Sequence, residues 1–178
     1  MSLSKTVNKR GEVPNSVYLG IGKSVALAFA QHGVSKLALV DMKHSHLEDT
    51  RNVLKSKYPN VEIALLQGDV TDELAVENAI KHAAKEFKRI DYGVNCAGIA
   101  GHPAPTHETP LKEWQKIIDI NQTGLWLCHK YLISQMMQQE YVSLLRISIW
   151  KPIYPPVYSA NLANTRYIGL VVFVRAVA

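Results

Sequence analysis

The sequence predicts an α/β domain built as a doubly wound parallel sheet with helices on both faces. Two observations predict it. Short apolar runs recur along the chain, as "KLALVD", "VEIALLQGD", "IDYGVNCAG" and "VSLLRISI". Between them lie longer stretches whose apolar residues recur at helical spacing. Strands that are apolar on both faces, joined by crossover helices, belong in a parallel sheet covered on both sides, with right-handed connections. Ligands of such sheets bind beyond the carboxyl ends of the strands. Asp41, Asp69, Asn95 and the residues after Ile149 are expected at that edge.

The elements follow in order. Residues 1–16, "MSLSKTVNKRGEVPNS", are polar and are set apart from a single domain over 17–178. "GIGKSVALAFAQHG" predicts a helix with Ile21, Val25, Ala28 and Phe29 on one face, stopped by Gly33. A buried strand then ends at Asp41, and "HLEDTRNVLKSKYP" forms an amphipathic helix closed by Pro59. The next strand ends at Asp69. Thr71 is expected to cap the following helix, with Asp72 and Glu73 in its positive first turn, running to about Arg89. The third strand breaks at Gly98 into a Pro-rich loop. Thr109-Pro110 opens a long helical region containing "LKEWQKIIDINQTGLWLCHKYLISQMMQ", and Ser159 to Ala178 is expected to be helical.

Composition excludes several classes of function. With 47% hydrophobic and 20% charged residues the chain reads as globular. Its net charge of +5 is spread along the whole length, and its densest basic group, Lys81, Lys85, Lys88 and Arg89, reads as a solvated helix face. No nucleic-acid partner is expected. The two cysteines, Cys96 and Cys128, show no paired or metal-binding spacing, which fits a reducing interior. His44, His46, His102 and His107 lack a thiolate or carboxylate cluster, so no metal is expected. The first residues are too polar for a signal peptide, and "GLVVFVRAVA" is too short to span a bilayer. A cytoplasmic protein without membrane contact is the expectation.

Two features carry chemistry. "LGIG", residues 19–22, opens the first helix, where glycines let backbone amides approach a pyrophosphate and the helix terminus supplies positive potential. Asp41 stands about twenty residues on, at the end of the next strand, where a carboxylate can accept both ribose hydroxyls of adenosine and repel a 2′-phosphate. That favours NAD; Lys43 close by leaves NADP open. Taken alone, the glycines also read as a plain turn, and Asp41 as the cap of the turn that follows it.

"GIG", "GDVTD", "NCAGI", "DINQTG" and "YSA", in this order and approximate spacing, resemble the short-chain dehydrogenase/reductase family over residues 19–178. The resemblance implies a Rossmann-like fold with a degraded N-terminal strand and missing C-terminal strands. It implies cofactor contacts at Gly20, Ile21, Gly22, Asp41, Asp69, Val70, Asn95, Ala97 and Gly98. It also implies hydride transfer between a nicotinamide cofactor and a small alcohol or ketone. Tyr158 matches the family's catalytic tyrosine, Asn121 its asparagine and Ser148 its serine. The tyrosine passes a proton to or from the substrate oxygen, the serine orients that oxygen, and the asparagine holds a water leading to solvent. Family enzymes associate through helices matching 110–139 and 159–178, so a homo-oligomer is expected.

The departures are specific. The family places a lysine four residues after its tyrosine, to lower the phenol pKa and hold the nicotinamide ribose; here Leu162 stands there. Arg166 would lie roughly 12 Å along a helix axis from Tyr158, a poor substitute. Aligning "SLLRISI" with the family strand puts Ile149 at the reactive position, so Ser148 serves only through a bulge or register shift and reads equally as a small strand residue. Cys96 replaces the second Asn of the family's Asn-Asn-Ala-Gly, and Lys130 reads as a solvent-exposed lysine. The alternative function is a catalytically inactive relative that binds nucleotide or a partner subunit.

Overall fold

A computed structural model describes residues 20–101 and 104–139 with their side chains, and the strands Leu144–Leu145 and Val171–Arg175 as backbone. Ser148, Tyr158, Leu162 and Arg166 lie outside the described residues.

The apolar run at residues 36–41 becomes strand β1, Lys36–Asp41, with every position after Lys36 buried. It pairs in parallel with β2, Glu62–Gln67, from Lys36 opposite Glu62 to Asp41 opposite Gln67. Helix α1, Ile21–Gln31, precedes β1, and Gly33 turns the chain at φ +87°, a conformation that favours glycine. Helix α2, His44–Lys57, connects β1 to β2, and α3, Glu73–Phe87, connects β2 to β3, Tyr92–Asn95. Helix α4, Leu111–Ile118, runs through a π-helical segment, Asp119–Gly124, into α5, Leu125–Gln138. Strand β4, Leu144–Leu145, lies parallel to β3.

β1 packs to both sides. Ala38 and Val40 join Ala64 and Leu66 under α3 and α5, among them Ile80, Phe87, Leu132 and Met136. Leu37 and Leu39 join Ala26, Ala30, Leu47 and Leu54 of α1 and α2 on the opposite face. This alternation of neighbouring strand residues between two helical layers is the doubly wound arrangement the sequence predicts.

Three local expectations are corrected. The buried stripe of α1 is Gly22, Ala26 and Ala30, whereas Ile21 is 37% exposed and Ala28 lies on the exposed side. Small residues let the helix lie close to the sheet, so they, not the larger ones, face it. The cap of α3 is Asp72, whose side chain accepts from the Leu74 and Ala75 amides; Thr71 instead turns its hydroxyl to Asp69.

The third correction concerns the C-terminal run. Part of the stretch expected to be helical forms strand β5, Val171–Arg175. The sheet order is β2-β1-β5-β3-β4, so β5 fills the central slot. It runs antiparallel to both neighbours, with Val171 opposite Val40 and Asn95. The β-branched "VVFV" fits a pleated sheet better than a helix. The slot also demands a strand, since the inner edges of buried β1 and β3 need hydrogen-bond partners. A central strand is what the polar N-terminal residues are poorly suited to supply.

Candidate functional site at the carboxyl edge of the sheet

β1 delivers Asp41 to the carboxyl edge, where the residue is only 4% exposed. Its Oδ1 accepts the Lys43 backbone N–H at 2.8 Å and lies 3.4 Å from His46 Nδ1. Its Oδ2 is buried and has no hydrogen-bond partner among the described residues. Burial pushes the Asp41 carboxyl above the usual range, opposed by the Lys43 amide and by the charges of His46 and Lys43. Two bonds tie this turn to the end of β2: Gly68 N–H donates to the Asp41 carbonyl at 3.1 Å, and Gln67 Nε2 donates to the Met42 carbonyl at 3.1 Å.

Beyond β2, Asp69 Oδ1 accepts from the Thr71 amide at 2.9 Å and the Thr71 hydroxyl at 2.8 Å. That oxygen therefore shapes the turn that presents Val70. Val70 packs on Gly124 so closely that a Cβ there would sit 2.7 Å from Val70 Cγ2 and 3.1 Å from its carbonyl oxygen. Glycine is required at that contact. Val40, Gly68, Val70, Val76 and Cys128 line a small apolar recess beside Asp69, with room for about one water. Burial pushes the Cys128 thiol up to about 12 and the Cys96 thiol up to about 11, so both stay protonated and unreactive at neutral pH.

β3 ends in Asn95, 2% exposed, whose side-chain oxygen and nitrogen are both buried without a hydrogen-bond partner among the described residues. Ala97 packs against the core and Gly98 is buried. The loop then reaches Ile99, which Asn121 grips twice: Asn121 Oδ1 accepts from the Ile99 N–H and Nδ2 donates to its carbonyl, each at 2.8 Å. Asn121 sits in the π-helical segment, a distortion often found at functional sites.

α1 feeds β1 through a short turn, which sets its N-terminus toward the edge where β1 ends. Gly20 caps the helix without a side-chain hydrogen bond, Ile21 is partly exposed and Gly22 is buried. The first-turn amides of a helix have no partner within it and sit at an electropositive terminus. Lys130 is exposed, as expected; it binds Glu73 at 2.6 Å, and Tyr131 donates to the same oxygen at 2.8 Å. These bonds, the Lys130 one foremost, hold the Glu73 carboxyl below the usual range.

Asp41, Val70, Asn95 and Asn121 are thus all carried at or just beyond this edge, with α1 directed toward it. Reading the sequence missed His46, Gln67 and the Gly124–Val70 contact. His46 carried a signal: its carboxylate partner is Asp41, five residues earlier, across the turn into α2. Among the described residues, no group of three or more His, Cys, Asp or Glu side chains could hold a metal ion. Among them, too, no helix is long and apolar enough to cross a membrane.

A family model described as enoyl-(acyl carrier protein) reductase matches residues 17–178. The chain belongs to the short-chain dehydrogenase/reductase family. Short-chain dehydrogenase fogB of Aspergillus ruber is 33% identical over 124 residues, 68% of this chain and 45% of that protein. Levodione reductase of Leifsonia aquatica is 32% identical over 67% of this chain and 45% of that protein. The chain spans less than half the length of these curated relatives. Among solved structures, NAD+-bound xylitol dehydrogenase matches with a TM-score of 0.66 at 31% identity, covering 70% of this chain and 47% of that one. ElxO with NADP bound matches with a TM-score of 0.64 at 31% identity, covering 71% and 50%. As a member of this family, the chain has the α/β fold of oxidoreductases whose relatives bind NAD+ or NADP.

Proposed function

We propose that this protein is an NAD-dependent oxidoreductase that interconverts a small alcohol and its ketone. The observation that carries the reading is Asp41: a carboxylate at a strand end with one oxygen buried and unpartnered among the described residues, in a chain whose first helix opens on Gly20 and Gly22 without a side-chain cap. The residues fit a dinucleotide. The α1 amides suit its diphosphate, Asp41 suits the adenosine ribose, and Val70 at the turn beyond β2 suits an apolar face of the base. Asp69, Asn95, Ala97 and Gly98 form the floor between them. Lys43 beside Asp41 keeps NADP within reach, and relatives with either cofactor support both.

When bound, the nicotinamide supplies the hydride acceptor or donor. Tyr158 then moves the proton at the substrate oxygen, Ser148 orients that oxygen, and Asn121, besides fixing Ile99, belongs to the proton path. Leu162 stands where the family has lysine and cannot supply the positive charge that lysine brings to the phenol, so turnover is slow at neutral pH and rises in alkali. The protein acts as a homo-oligomer through the outer side of α4 and α5, where Leu111 is 79%, Trp126 58% and Met137 67% exposed.

The test is hydride transfer followed at the nicotinamide absorbance with a panel of small alcohols and ketones. Tyr158→Phe is expected to lower kcat by roughly 100-fold or more; full activity in that variant refutes the proton role. Thermal stabilisation by NADH without turnover of any substrate favours the binding-only alternative instead.

A further inference from the structure

The π-helical segment Asp119–Gly124 touches two of the loops that leave the carboxyl edge of the sheet. Asn121 grips Ile99, in the loop after β3, through both backbone groups. Buried Gly124 lies against Val70, in the turn after β2, with no room for a Cβ. Residues three apart on a helix share a side of it, so one short piece of backbone meets both loops.

The helix that follows cannot take up a displacement of this piece by sliding. At its far end Gln139 Oε1 accepts from the Ile90 N–H at 3.1 Å, and Nε2 donates to the Ile90 carbonyl at 2.9 Å. In its middle, Leu132 packs so closely on β3 that a Cβ at Gly93 would sit 2.6 Å from Leu132 Cδ1. The helical region thus holds β3 at Ile90 before it, at Gly93 within it and at Ile99 after it. A shift of the Val70 turn has to be met locally, at Gly124 and at the Asn121 grip.

We propose that Gly124 is a positioning residue that couples the two ends of the site, so that a ligand seated on Val70 tightens the grip of Asn121 on Ile99. This rests on the reading of the edge as a dinucleotide site, with Val70 beside the base. The Ile99 amide is freed only when its bond to Asn121 opens, and local openings of this kind depend on how firmly each partner is held. A ligand on Val70 fixes the turn. The turn, close to Gly124 through both its side chain and its carbonyl, fixes the segment that carries Asn121. Order imposed on one loop lowers the cost of ordering the other, which is coupling without a large change of shape. Seating the adenosine half of the ligand thereby prepares the side of the site where Asn121 serves the proton path.

The experiment measures hydrogen exchange of the Ile99 amide by NMR in the full chain, with and without saturating AMP, which carries the adenosine end alone. In the wild type AMP is expected to slow that exchange about fivefold. The Ile90 amide, bonded in the same way at the far end of the helix, is the reference and is expected to stay unchanged. In Gly124→Ala, AMP is expected to bind more weakly and, at saturation, to leave Ile99 exchange as it was. Val70→Ala removes Cγ2 from the same contact without overpacking it, and is expected to lose the slowing as well. An Ile99 amide indifferent to AMP in a wild type that binds it overturns the coupling while the dinucleotide reading stands. So does equal slowing at Ile90 and Ile99, which is global stabilisation, or equal slowing at Ile99 in the wild type and either variant. A wild-type chain that binds neither AMP nor NADH overturns the dinucleotide reading and the coupling with it.

Discussion

Asn121 holds both backbone polar groups of Ile99, accepting its N–H and donating to its carbonyl at 2.8 Å each. One side chain in the distorted middle of a long helical region thereby fixes the loop that leaves β3. The proton path proposed for Asn121 thus begins from a residue already committed to positioning.

Asn121→Ala removes both bonds and leaves two backbone groups in a partly buried place. A loss of about 1–3 kcal/mol is expected, read from urea unfolding midpoints. Asn121→Asp keeps an acceptor for the Ile99 N–H but sets a carboxylate against the Ile99 carbonyl. It should lose as much at pH 7 and recover part of the loss in acid, where the protonated carboxyl donates. Wild-type stability in both variants would show that the two bonds contribute nothing.

Asp41 sets binding against stability. Burial raises its folded-state pKa above the unfolded value of about 3.8. Within the window above that value the native state keeps a proton that the unfolded chain releases, so stability falls as pH rises through it and stays lowered beyond. Asp41→Asn removes this contribution and retains an acceptor for the Lys43 amide. The variant is expected to melt higher than wild type at pH 7, with the difference shrinking toward pH 4, while NADH affinity drops. Calorimetric melting at pH 4 and pH 7 checks the sign, and a lower melting temperature at pH 7 would contradict it.

Much of this edge was legible in the sequence because strand ends and turn glycines announce themselves locally. β1 begins and ends where its apolar run does, and Asp41 lies where the run predicts. The illegible parts depend on partners distant in sequence or on close packing. Gly22, Ala26 and Ala30 face the sheet because they are small, a choice that hydrophobic spacing alone does not reveal. Thr71 and Asp72 are both competent caps, and Asp69 decides between them by engaging Thr71. The run "VVFV" suits a strand by its branching, yet its place depends on an opening between β1 and β3 that no local signal describes. The grip of Asn121 on Ile99 spans 22 residues and was likewise hidden.

The central position of β5 makes a strong demand on Phe173, which pairs with Ala38 on one side and Gly93 on the other. Proline there removes a backbone donor from the middle of a sheet, where none is tolerated. Phe173→Pro is expected to abolish the cooperative unfolding transition, or to lower stability by about 3 kcal/mol or more. Arg175→Ala, at the end of the strand, should leave the transition largely in place. Circular dichroism melts of the two variants distinguish them, and a cooperative, wild-type melt of Phe173→Pro would remove β5 from the core of the fold.

Leu162 offers a gain of function, which is harder to obtain by accident than a loss. A phenol ionises near pH 10, so an isolated tyrosine is almost entirely protonated at pH 7 and a weak base. A lysine four residues after Tyr158 would supply the positive charge that favours the phenolate, and would add a donor for the nicotinamide ribose. Leu162→Lys is expected to raise kcat at pH 7 by about tenfold or more, with a smaller gain at pH 10, where phenolate is already plentiful. The alkaline limb of the kcat profile should move toward neutrality. The same substitution in a Tyr158→Phe background should yield no gain, because the charge then has no proton donor to act on. An equal increase in both backgrounds would mean that the lysine acts through cofactor binding alone, leaving Tyr158 without the role assigned to it.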